Sequence, residues 1–265
     1  MVLSLKKSCR MLGKSGIQKI RSLEYKKFRI KEHLFLAEGE KLIMALLDSE
    51  IEIENLVCTA RFLSGKGLFP ENVKGITEAE EKEIASASFL KSPPPCLALC
   101  RIPDYPPELV SPAGGLVLCI DGIQDPGNLG TMVRLAEWFG IPDIVCSPTS
   151  ADIYSPKAVQ ATMGAIAGVR VHYLPLDDFL AEHLRQQIPV IGTFMDGENI
   201  YNTSLPLHGI IVAGSEGSGI SRDLHPFISQ RITIPDFSEG LKRSESLNVS
   251  VAMAIVLSEF KRRSL

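Results

Sequence analysis

Short polar and glycine-rich stretches follow three apolar runs of this 265-residue sequence, and they hold the side chains best suited to chemistry. The first stretch, DPGNLGTMVR, occupies residues 125–134 and contains Asn128 and Arg134. Arginine presents a rigid cationic fork to phosphates and carboxylates, and asparagine both donates and accepts hydrogen bonds. We expect Gly127 and Gly130 to form a tight turn, with Arg134 projecting from the start of a helix that follows it.

The second stretch, AGSEGSGIS, occupies residues 213–221 directly after the apolar run GIIV. Gly214, Gly217 and Gly219 allow the backbone to approach a ligand closely, although they fit a simple tight turn equally well. Their spacing is neither the dinucleotide fingerprint nor the Walker phosphate-binding loop. Glu216 stands among these glycines, where its carboxylate either caps helix amides or meets a cation.

The third stretch, IPDFSEGLKRSESLNVSVAMAI, occupies residues 234–255 and leads into an apolar helix that we predict near residues 246–264. Ser246 and Asn248 stand at the start of this helix, where either would be a good N-cap. The stretch contains more short polar side chains than one cap requires. This surplus indicates a ligand beside the start of the helix.

Strands and helices alternate along the chain, which is typical of an α/β protein with two domains. Residues 1–105 predict a small α/β domain, in which apolar residues recur at near-helical spacing over 16–31. The proline-rich stretch 106–115 predicts a linker. Residues 116–265 contain continuous apolar strands, which predict a mostly parallel sheet covered on both faces. Ligands of such sheets bind beyond the carboxyl ends of the strands, where the three stretches stand.

The charge is uneven along the chain. Ten Lys and Arg against two acids up to residue 32 give +8, which leaves −11 of the total −3 for the remainder. A basic segment on an acidic body indicates contact with a polyanion, and a solvated helix face is an equally good interpretation.

The six cysteines are scattered, which favours buried thiols in a reducing compartment over disulfides. Cys96 and Cys100 flank an apolar interior and no partner pair follows at zinc spacing, so we expect no metal site. No apolar run reaches the roughly 18 residues that a membrane span needs, and the N-terminus lacks the apolar core of a signal peptide. These features predict a cytoplasmic protein without a membrane partner.

Taken together and in this order, the three stretches resemble the three motifs of the SpoU (TrmH-type) RNA 2′-O-ribose methyltransferases of the SPOUT superfamily. The resemblance spans about residues 115–260. The segment IQKIRSLEYKKFRIKEHLFLAEGEKLI, residues 17–43, is similar to the L30e-like substrate-binding domain that many of these enzymes carry. The resemblance implies S-adenosylmethionine as methyl donor, a ribose 2′-hydroxyl of RNA as acceptor, a homodimer, and a C-terminal trefoil knot.

The resemblance also assigns residues to roles. Catalytic roles fall to matches of the family motifs: Asn128, Arg134, Glu216, Ser246 and Asn248. Cofactor contacts, mostly through the backbone, fall to Thr193, Phe194, Gly214, Ser215, Glu216, Gly217, Ile234, Ser246 and Leu247. The basic N-terminal segment offers candidate RNA contacts at Lys19, Arg21, Lys26, Lys27 and Arg29.

The substrate is less well defined than the reaction. Ribosomal RNA is favoured over transfer RNA, because the L30e-like domain is common among the ribosomal enzymes of the family. Gln160 stands where relatives often have an arginine, so one RNA contact is lost. Two other functions remain open: a non-catalytic RNA-binding protein on the same scaffold, and a nucleotide-binding oxidoreductase, against which the missing dinucleotide fingerprint argues.

Overall fold

A computed structural model of the protein describes residues 12–65, 69–237 and 246–265. The described residues form two compact units. The first contains the described residues up to Asp104 together with Asp152–Gly168, and the second contains Tyr105–Ala151 and the described residues from Val169 onward. The chain therefore enters the first unit twice.

The helices and strands follow one another in the alternation that the sequence predicts. In chain order they are α1 (Gly13–Ser22), α2 (Lys26–Glu32), β1 (Leu34–Glu38), α3 (Glu40–Leu47), β2 (Ile53–Cys58), α4 (Ala60–Ser64), β3 (Ile76–Glu78), α5 (Glu81–Ala87), β4 (Cys96–Arg101), β5 (Leu116–Ile120), α6 (Pro126–Trp138), β6 (Asp143–Cys146), α7 (Pro156–Thr162), β7 (Arg170–Tyr173), α8 (Leu176–Arg185), β8 (Val190–Asn199), β9 (Gly209–Ala213), β10 (Gln230–Thr233) and α9 (Val249–Arg262). Short 3-10 helices occur at Pro107–Leu109, Ala165–Ala167 and Arg222–Phe227.

The first unit contains a four-stranded mixed sheet in the order β1-β4-β2-β3. Strand β4 runs antiparallel to both β1 and β2, whereas β2 and β3 are parallel. Helix α7 packs against β1, which brings the second segment of this unit into contact with its sheet. An α/β fold was expected here.

The helical spacing over 16–31 does not form one helix. The chain makes α1 and α2, separated by a turn at residues 23–25. At this turn the Arg29 guanidinium donates hydrogen bonds to the carbonyls of Leu23 and Glu24, at 2.7 and 2.8 Å. A buried side chain thus satisfies two carbonyl groups that a continuous helix would have paired with backbone amides.

The second unit is built on a six-stranded sheet in the order β10-β8-β9-β5-β6-β7. Every strand pair in it is parallel, which confirms the prediction of a mostly parallel sheet. All residues of β5 and β9 are buried, so both faces of these central strands are covered. Because β10, β8, β9 and β5 are parallel neighbours, the loops that follow them emerge at one edge of the sheet.

The five described cysteines are buried and no disulfide links them, as the scattered spacing predicts; Cys9 lies outside the described residues. Burial raises the pKa of the Cys58 thiol to about 12. Burial likewise raises the pKa of Cys100, Cys119 and Cys146. Over the described residues, no helix is long and apolar enough to cross a membrane.

The far end of α9 is attached to the loop after β8 by Arg263, which the buried carboxylate of Glu259 holds in position. Glu259 accepts hydrogen bonds from Arg262 and Arg263, with Nε–O distances of 2.8 and 2.7 Å. Arg263 also donates to the carbonyls of Ile200, at 2.7 Å, and Thr203. The hydrogen bond from Arg262 is the largest influence on Glu259; together with Arg263 it outweighs the effect of burial and lowers the pKa of Glu259 to about 2.

The attachment of α9 is therefore expected to weaken in acid. A carboxyl group whose pKa is lower in the folded state stabilises the fold above its unfolded pKa, and this contribution is lost as pH falls from about 4.5 towards about 2. Glu259→Gln should melt at a lower temperature than the wild type at pH 7, and the difference should shrink as pH falls through this window. Thermal melts at several pH values measure it, with Glu182→Gln, on the exposed surface of α8, as control. A difference that is constant with pH would contradict the assignment.

Candidate active site

The loops after β5 and β9 are joined directly. Asp121, the buried residue after β5, accepts a hydrogen bond from the backbone amide of Ser221 at 2.8 Å. Its own amide donates to the carbonyl of Ala213, also at 2.8 Å. These two bonds hold the residue that follows β5 against both ends of the second polar stretch.

The first stretch forms a helix start and not a tight turn. Asp125 is the N-cap of α6, and its Oδ1 accepts a hydrogen bond from the Asn128 amide at 3.0 Å. The expectation of a turn at Gly127 and Gly130 is wrong, because both residues lie inside α6. Pro126 at the first helical position favours this early start. The left-handed residue at this place is Gly122, with φ of 67°.

The second stretch folds into a closed loop whose tip is exposed. The backbones of Ser215 and Gly219 exchange two hydrogen bonds, at 3.0 and 2.9 Å. A Cβ atom on Gly214 would lie only 2.0 Å from the carbonyl carbon of Gly219, so no side chain fits there. Glu216 and Gly217 form the exposed tip between these two ends. The glycines thus allow the two ends of the loop to approach closely, and the Glu216 carboxylate is exposed at the tip of the loop.

Asn128, Glu216 and Asn248, one from each polar stretch, meet in a single hydrogen-bonded cluster. The Oε1 atom of Glu216 accepts from Nδ2 of Asn128 at 2.9 Å and from Nδ2 of Asn248 at 2.6 Å. Asn248 Nδ2 also donates to Asn128 Oδ1 at 3.1 Å. Residues that stand 88 and 120 positions apart in the sequence thereby form one unit.

The start of α9 fixes the direction of both amide groups in this cluster. Asn248 is the N-cap of α9, and its Oδ1 accepts from the backbone amides of Ser250 and Val251 at 3.0 and 3.3 Å. Its amide nitrogen must therefore face Glu216 and Asn128. Because Asn128 Oδ1 accepts the hydrogen bond from Asn248 Nδ2, the amide nitrogen of Asn128 in turn faces Glu216. The polarity of the cluster follows from a helix cap.

Ser250 belongs to this cluster and was not among the residues that the sequence indicated. Its hydroxyl donates to the backbone carbonyl of Asn128 at 3.2 Å, with Asn128 Oδ1 at 3.4 Å. Ser250 is buried, at 4% exposure, in the first turn of α9. The sequence alone does not single out Ser250, because its burial, which makes the hydroxyl need a partner, becomes known only from the structure.

Two of the predicted catalytic residues lie apart from the cluster. Arg134 is exposed on α6, six residues after Asn128, which places it about 240° further around the helix at about 100° per residue. Within the described residues Arg134 forms no ion pair. Ser246 is exposed two residues before the cap of α9. The motif arginine and the motif amides therefore face different directions on the same helix.

A cavity of about 480 Å³ adjoins the cluster. Its wall consists of polar residues and glycines with one isoleucine, namely Gly122, Ile123, Gln124, Asp125, Asn128, Ser215, Glu216, Gly217 and Ser218. This volume is in the range of small-molecule sites. Across the described ranges, no three His, Cys, Asp or Glu side chains stand close enough together to hold a metal ion.

The residues expected to contact the cofactor lie at the same edge of the sheet. Thr193 and Phe194 are in β8, and the Thr193 hydroxyl donates to the carbonyl of Val212 in β9 at 3.2 Å. Ile234 follows β10 directly, and Leu247 precedes the cap of α9 with 50% of its surface exposed. The Arg231 guanidinium stacks on the Phe194 ring at 3.6 Å and pairs with Asp196 at 2.6 Å.

The candidate RNA contacts lie in the first unit and differ in accessibility. Lys26 and Lys27 are exposed on α2. Lys19 lies 3.7 Å from the Glu32 carboxylate, and Arg21 donates to the Ser88 carbonyl at 2.8 Å. Arg29 is only 3% exposed and pairs with Asp152 at 2.6 Å. Its guanidinium is held inside the unit, which argues against a phosphate contact. Lys6, Lys7 and Arg10 lie outside the described residues.

Comparisons with known proteins relate both units to RNA-modifying enzymes. The SpoU rRNA methylase family matches residues 115–258, and the MRM3-like substrate binding domain matches residues 14–98. The 23S rRNA (guanosine(2553)-2′-O)-methyltransferase RlmP of Bacillus subtilis is 27% identical over 89% of this chain and 92% of that protein. The 23S rRNA (guanosine-2′-O-)-methyltransferase RlmB of Neisseria meningitidis is 33% identical over 56% of this chain and 58% of that protein.

Solved structures resemble the chain over nearly its whole length. A protein of the TrmH family from Porphyromonas gingivalis is 40% identical with a TM-score of 0.86, covering 96% of this chain and all of that one (100%). An rRNA methyltransferase from Sinorhizobium meliloti, solved with S-adenosylmethionine bound, is 26% identical with a TM-score of 0.83, covering 98% of each chain.

The helix cap and the Glu216 contacts can be separated by substitution at Asn248. Serine caps a helix as asparagine does but is too short to reach Glu216, whereas alanine does neither. Both variants should lower the free energy of unfolding, and Asn248→Ala should lower it by about 0.5–2 kcal/mol more than Asn248→Ser. Urea denaturation measures this, with Asn202→Ala, at an exposed turn, as control. Equal stability of the two variants would show that the cap contributes nothing.

Proposed function

The chain belongs to the SpoU rRNA methylase family, and we propose that it transfers a methyl group from S-adenosylmethionine to a ribose 2′-hydroxyl of ribosomal RNA. The observation that carries the proposal is the cluster of Asn128, Glu216 and Asn248 beside a cavity. These amides and this carboxylate come from the three polar stretches that define the resemblance. RlmP and RlmB, by name, act on 23S rRNA, which favours ribosomal over transfer RNA as substrate.

The residues at the carboxyl edge of the sheet fit S-adenosylmethionine. Thr193 and Phe194 lie in β8 just beyond its pairing with β9, whereas the loop Gly214–Gly217 follows β9 and Ile234 follows β10. The carboxyl edges of such parallel strands bind ligands. Leu247 leaves an apolar surface uncovered that can pack against an adenine ring. Glu216 supplies a carboxylate to a cofactor that carries positive charge. Ser215, Gly217 and Ser246 complete the proposed cofactor contacts.

The residues of the chain must orient the ribose and assist the loss of its proton, which passes to solvent water as the methyl group moves from sulfur to the 2′-oxygen and S-adenosylhomocysteine is left. When bound, the cofactor supplies an electrophilic methyl group. Alignment of the 2′-oxygen with that group lowers the barrier by several kcal/mol. Asn128 and Asn248, whose amides are held in fixed directions, suit the orientation of the ribose and RNA backbone. Arginine ordinarily keeps its proton in proteins, so we assign Arg134 to electrostatic stabilisation of the developing alkoxide or an adjacent phosphate.

Removal of Arg134 tests both the reaction and this role. Arg134→Ala should reduce turnover by at least about a hundredfold, the scale of one lost transition-state contact, while the affinity for S-adenosylmethionine stays within about twofold. Turnover is measured as transfer of labelled methyl to ribosomal RNA, followed by digestion to nucleosides. Arg185→Ala, on the exposed surface of α8, is the matched control.

Three outcomes would contradict these assignments. Label on a base atom would contradict ribose methylation, and near-normal turnover of Arg134→Ala would contradict its role. Absence of S-adenosylmethionine binding by calorimetry would favour the non-catalytic RNA-binding protein on the same scaffold.

The exposed surface of α6 supports a homodimer in which each site receives Arg134 from the other chain. Arg134 faces away from the cluster of its own chain, and Trp138, one helical turn further, is 84% exposed. Val251 on α9, which packs against α6, is 51% exposed. Apolar side chains at this exposure, beside the arginine that we assign to the reaction, are typical of a surface that a second copy covers.

Mixed dimers test this arrangement. Arg134→Ala and Glu216→Ala chains, co-expressed with different tags, should each be inactive alone, and the purified mixed dimer should recover about half of the wild-type activity, since one of its two sites is intact. An inactive mixed dimer would place Arg134 in the site of its own chain. A monomer mass by light scattering, with activity retained, would contradict the dimer itself.

Three further features stay part of the proposal. The family implies a C-terminal trefoil knot, and a crystal structure in which the chain passes through none of its own loops would contradict it. The L30e-like character of the first unit fits the match to a substrate-binding domain over residues 14–98. A cytoplasmic location fits the buried thiols of the five described cysteines.

A further inference from the structure

Helix α2 exposes two large apolar side chains among lysines. Tyr25, the residue that precedes the helix, is 58% exposed and Ile30 is 65% exposed. Lys26, Lys27 and Lys31 are exposed beside them. We call these five residues the α2 surface. An exposed aromatic ring next to cationic side chains offers a ligand both a stacking face and a positive charge.

The other side of the helix holds the α2 surface rigidly. Arg29 points inward and pairs with Asp152 at 2.6 Å. The half-buried Phe28 ring meets the Tyr25 ring edge-on, with centroids 6.4 Å apart, and the Lys27 ammonium lies 5.0 Å from the Phe28 centroid. The Tyr25 ring is therefore positioned by Phe28, at the start of a helix that the Arg29–Asp152 pair attaches to the first unit.

The positive charge of the α2 surface is not neutralised by the protein. Among the residues that the structure describes, Lys26, Lys27 and Lys31 form no ion pair. The adjacent acids are Glu24, which is exposed, and Glu32, whose carboxylate lies 3.7 Å from Lys19. Three lysines along one side of a two-turn helix can meet successive phosphates of a nucleic-acid strand.

We propose that the α2 surface binds unpaired RNA nucleotides, with a base stacked on the Tyr25 ring and the lysines in contact with phosphates. The proposal rests on the proposed function and specifies the form of RNA that the first unit recognises. In a duplex the bases are already stacked on one another, and an exposed ring finds no free base face. Single strands offer both the base faces and the phosphates that this surface requires.

A second copy of the chain is the less favoured occupant of this surface. Two α2 surfaces in contact would bring six lysines together, and like charges in an interface are unfavourable. An acidic protein would match the charge but gives no reason for an exposed ring at the helix start. The RNA strand accounts for both the charge and the ring.

The test separates stacking from charge by their salt dependence. The probe is a labelled oligouridylate of about ten nucleotides, within the site sizes of single-strand binders, and the full-length protein is titrated at several salt concentrations. Tyr25→Ala should weaken binding by about five- to a hundredfold with an unchanged log–log salt slope. Lys26→Gln and Lys27→Gln should each weaken binding and flatten the slope by about 0.7.

Conservative variants and distant residues serve as controls. Tyr25→Phe keeps the ring and should bind within about twofold of the wild type, since stacking does not need the hydroxyl. Tyr201→Ala removes an exposed ring of the second unit, and Lys82→Gln removes an exposed lysine of α5; neither should change binding. Unchanged thermal midpoints and S-adenosylmethionine binding show that the variants are folded.

Four results would overturn the inference. The first is that the wild type does not bind the oligouridylate measurably, and the second is that Tyr25→Ala binds it with wild-type affinity. The third is that Tyr25→Ala and Tyr25→Phe lose the same affinity for it. The fourth is that Tyr25→Ala weakens binding to an RNA duplex as much as it weakens binding to the oligouridylate. Methyl transfer by the wild type to ribosomal RNA is measured in parallel. If transfer occurs while any of the four results is found, only the α2 surface is wrong; if transfer fails, the proposed function is wrong whatever the α2 variants show.

Discussion

One carboxylate oxygen holds the candidate site together. Oε1 of Glu216 accepts the amide hydrogens of Asn128 and Asn248, and so joins the start of α6, the loop after β9 and the start of α9. Hydrogen bonds to a charged acceptor are about twice as strong as those between neutral groups. Without this acceptor the two amides would lose their shared partner, and three loops that are distant in the sequence would lack a common anchor.

The other elements of the second unit position the residues of this contact. The parallel sheet brings the loops to one edge, and the closed loop from Ser215 to Gly219 presents the Glu216 side chain outward. At its two ends, α9 is held by Asn248 and by the contacts of Glu259 and Arg263. Because α9 is fixed at both ends, its cap can impose a direction on the amides. A site whose polar groups are oriented before the ligand arrives needs little reorganisation during reaction.

Residue type alone does not decide what a basic side chain does in this protein. Arg29 satisfies two carbonyls and a carboxylate inside the first unit, whereas Lys26 and Lys27 on the same helix face solvent. Arg263 anchors α9, whereas Arg134 is exposed on α6. In each comparison, hydrogen bonds to acceptor groups of the protein make one side chain structural, whereas the exposed side chains are available to a ligand. The basic N-terminal segment is thus a mixture of roles.

The alternation of apolar runs was enough to predict the parallel sheet and the position of the polar stretches at its edge, because strand and helix periodicity is a local property. The motif residues could likewise be named from their order and spacing. The early start of α6 is also local, because Asp125 caps the helix and Pro126 begins it, and the different directions of Asn128 and Arg134 follow from helix geometry once that start is known. The sequence could not reveal that Arg29 is buried or that Ser250 joins the cluster. These features depend on contacts between residues up to about 120 positions apart, which only the folded chain creates.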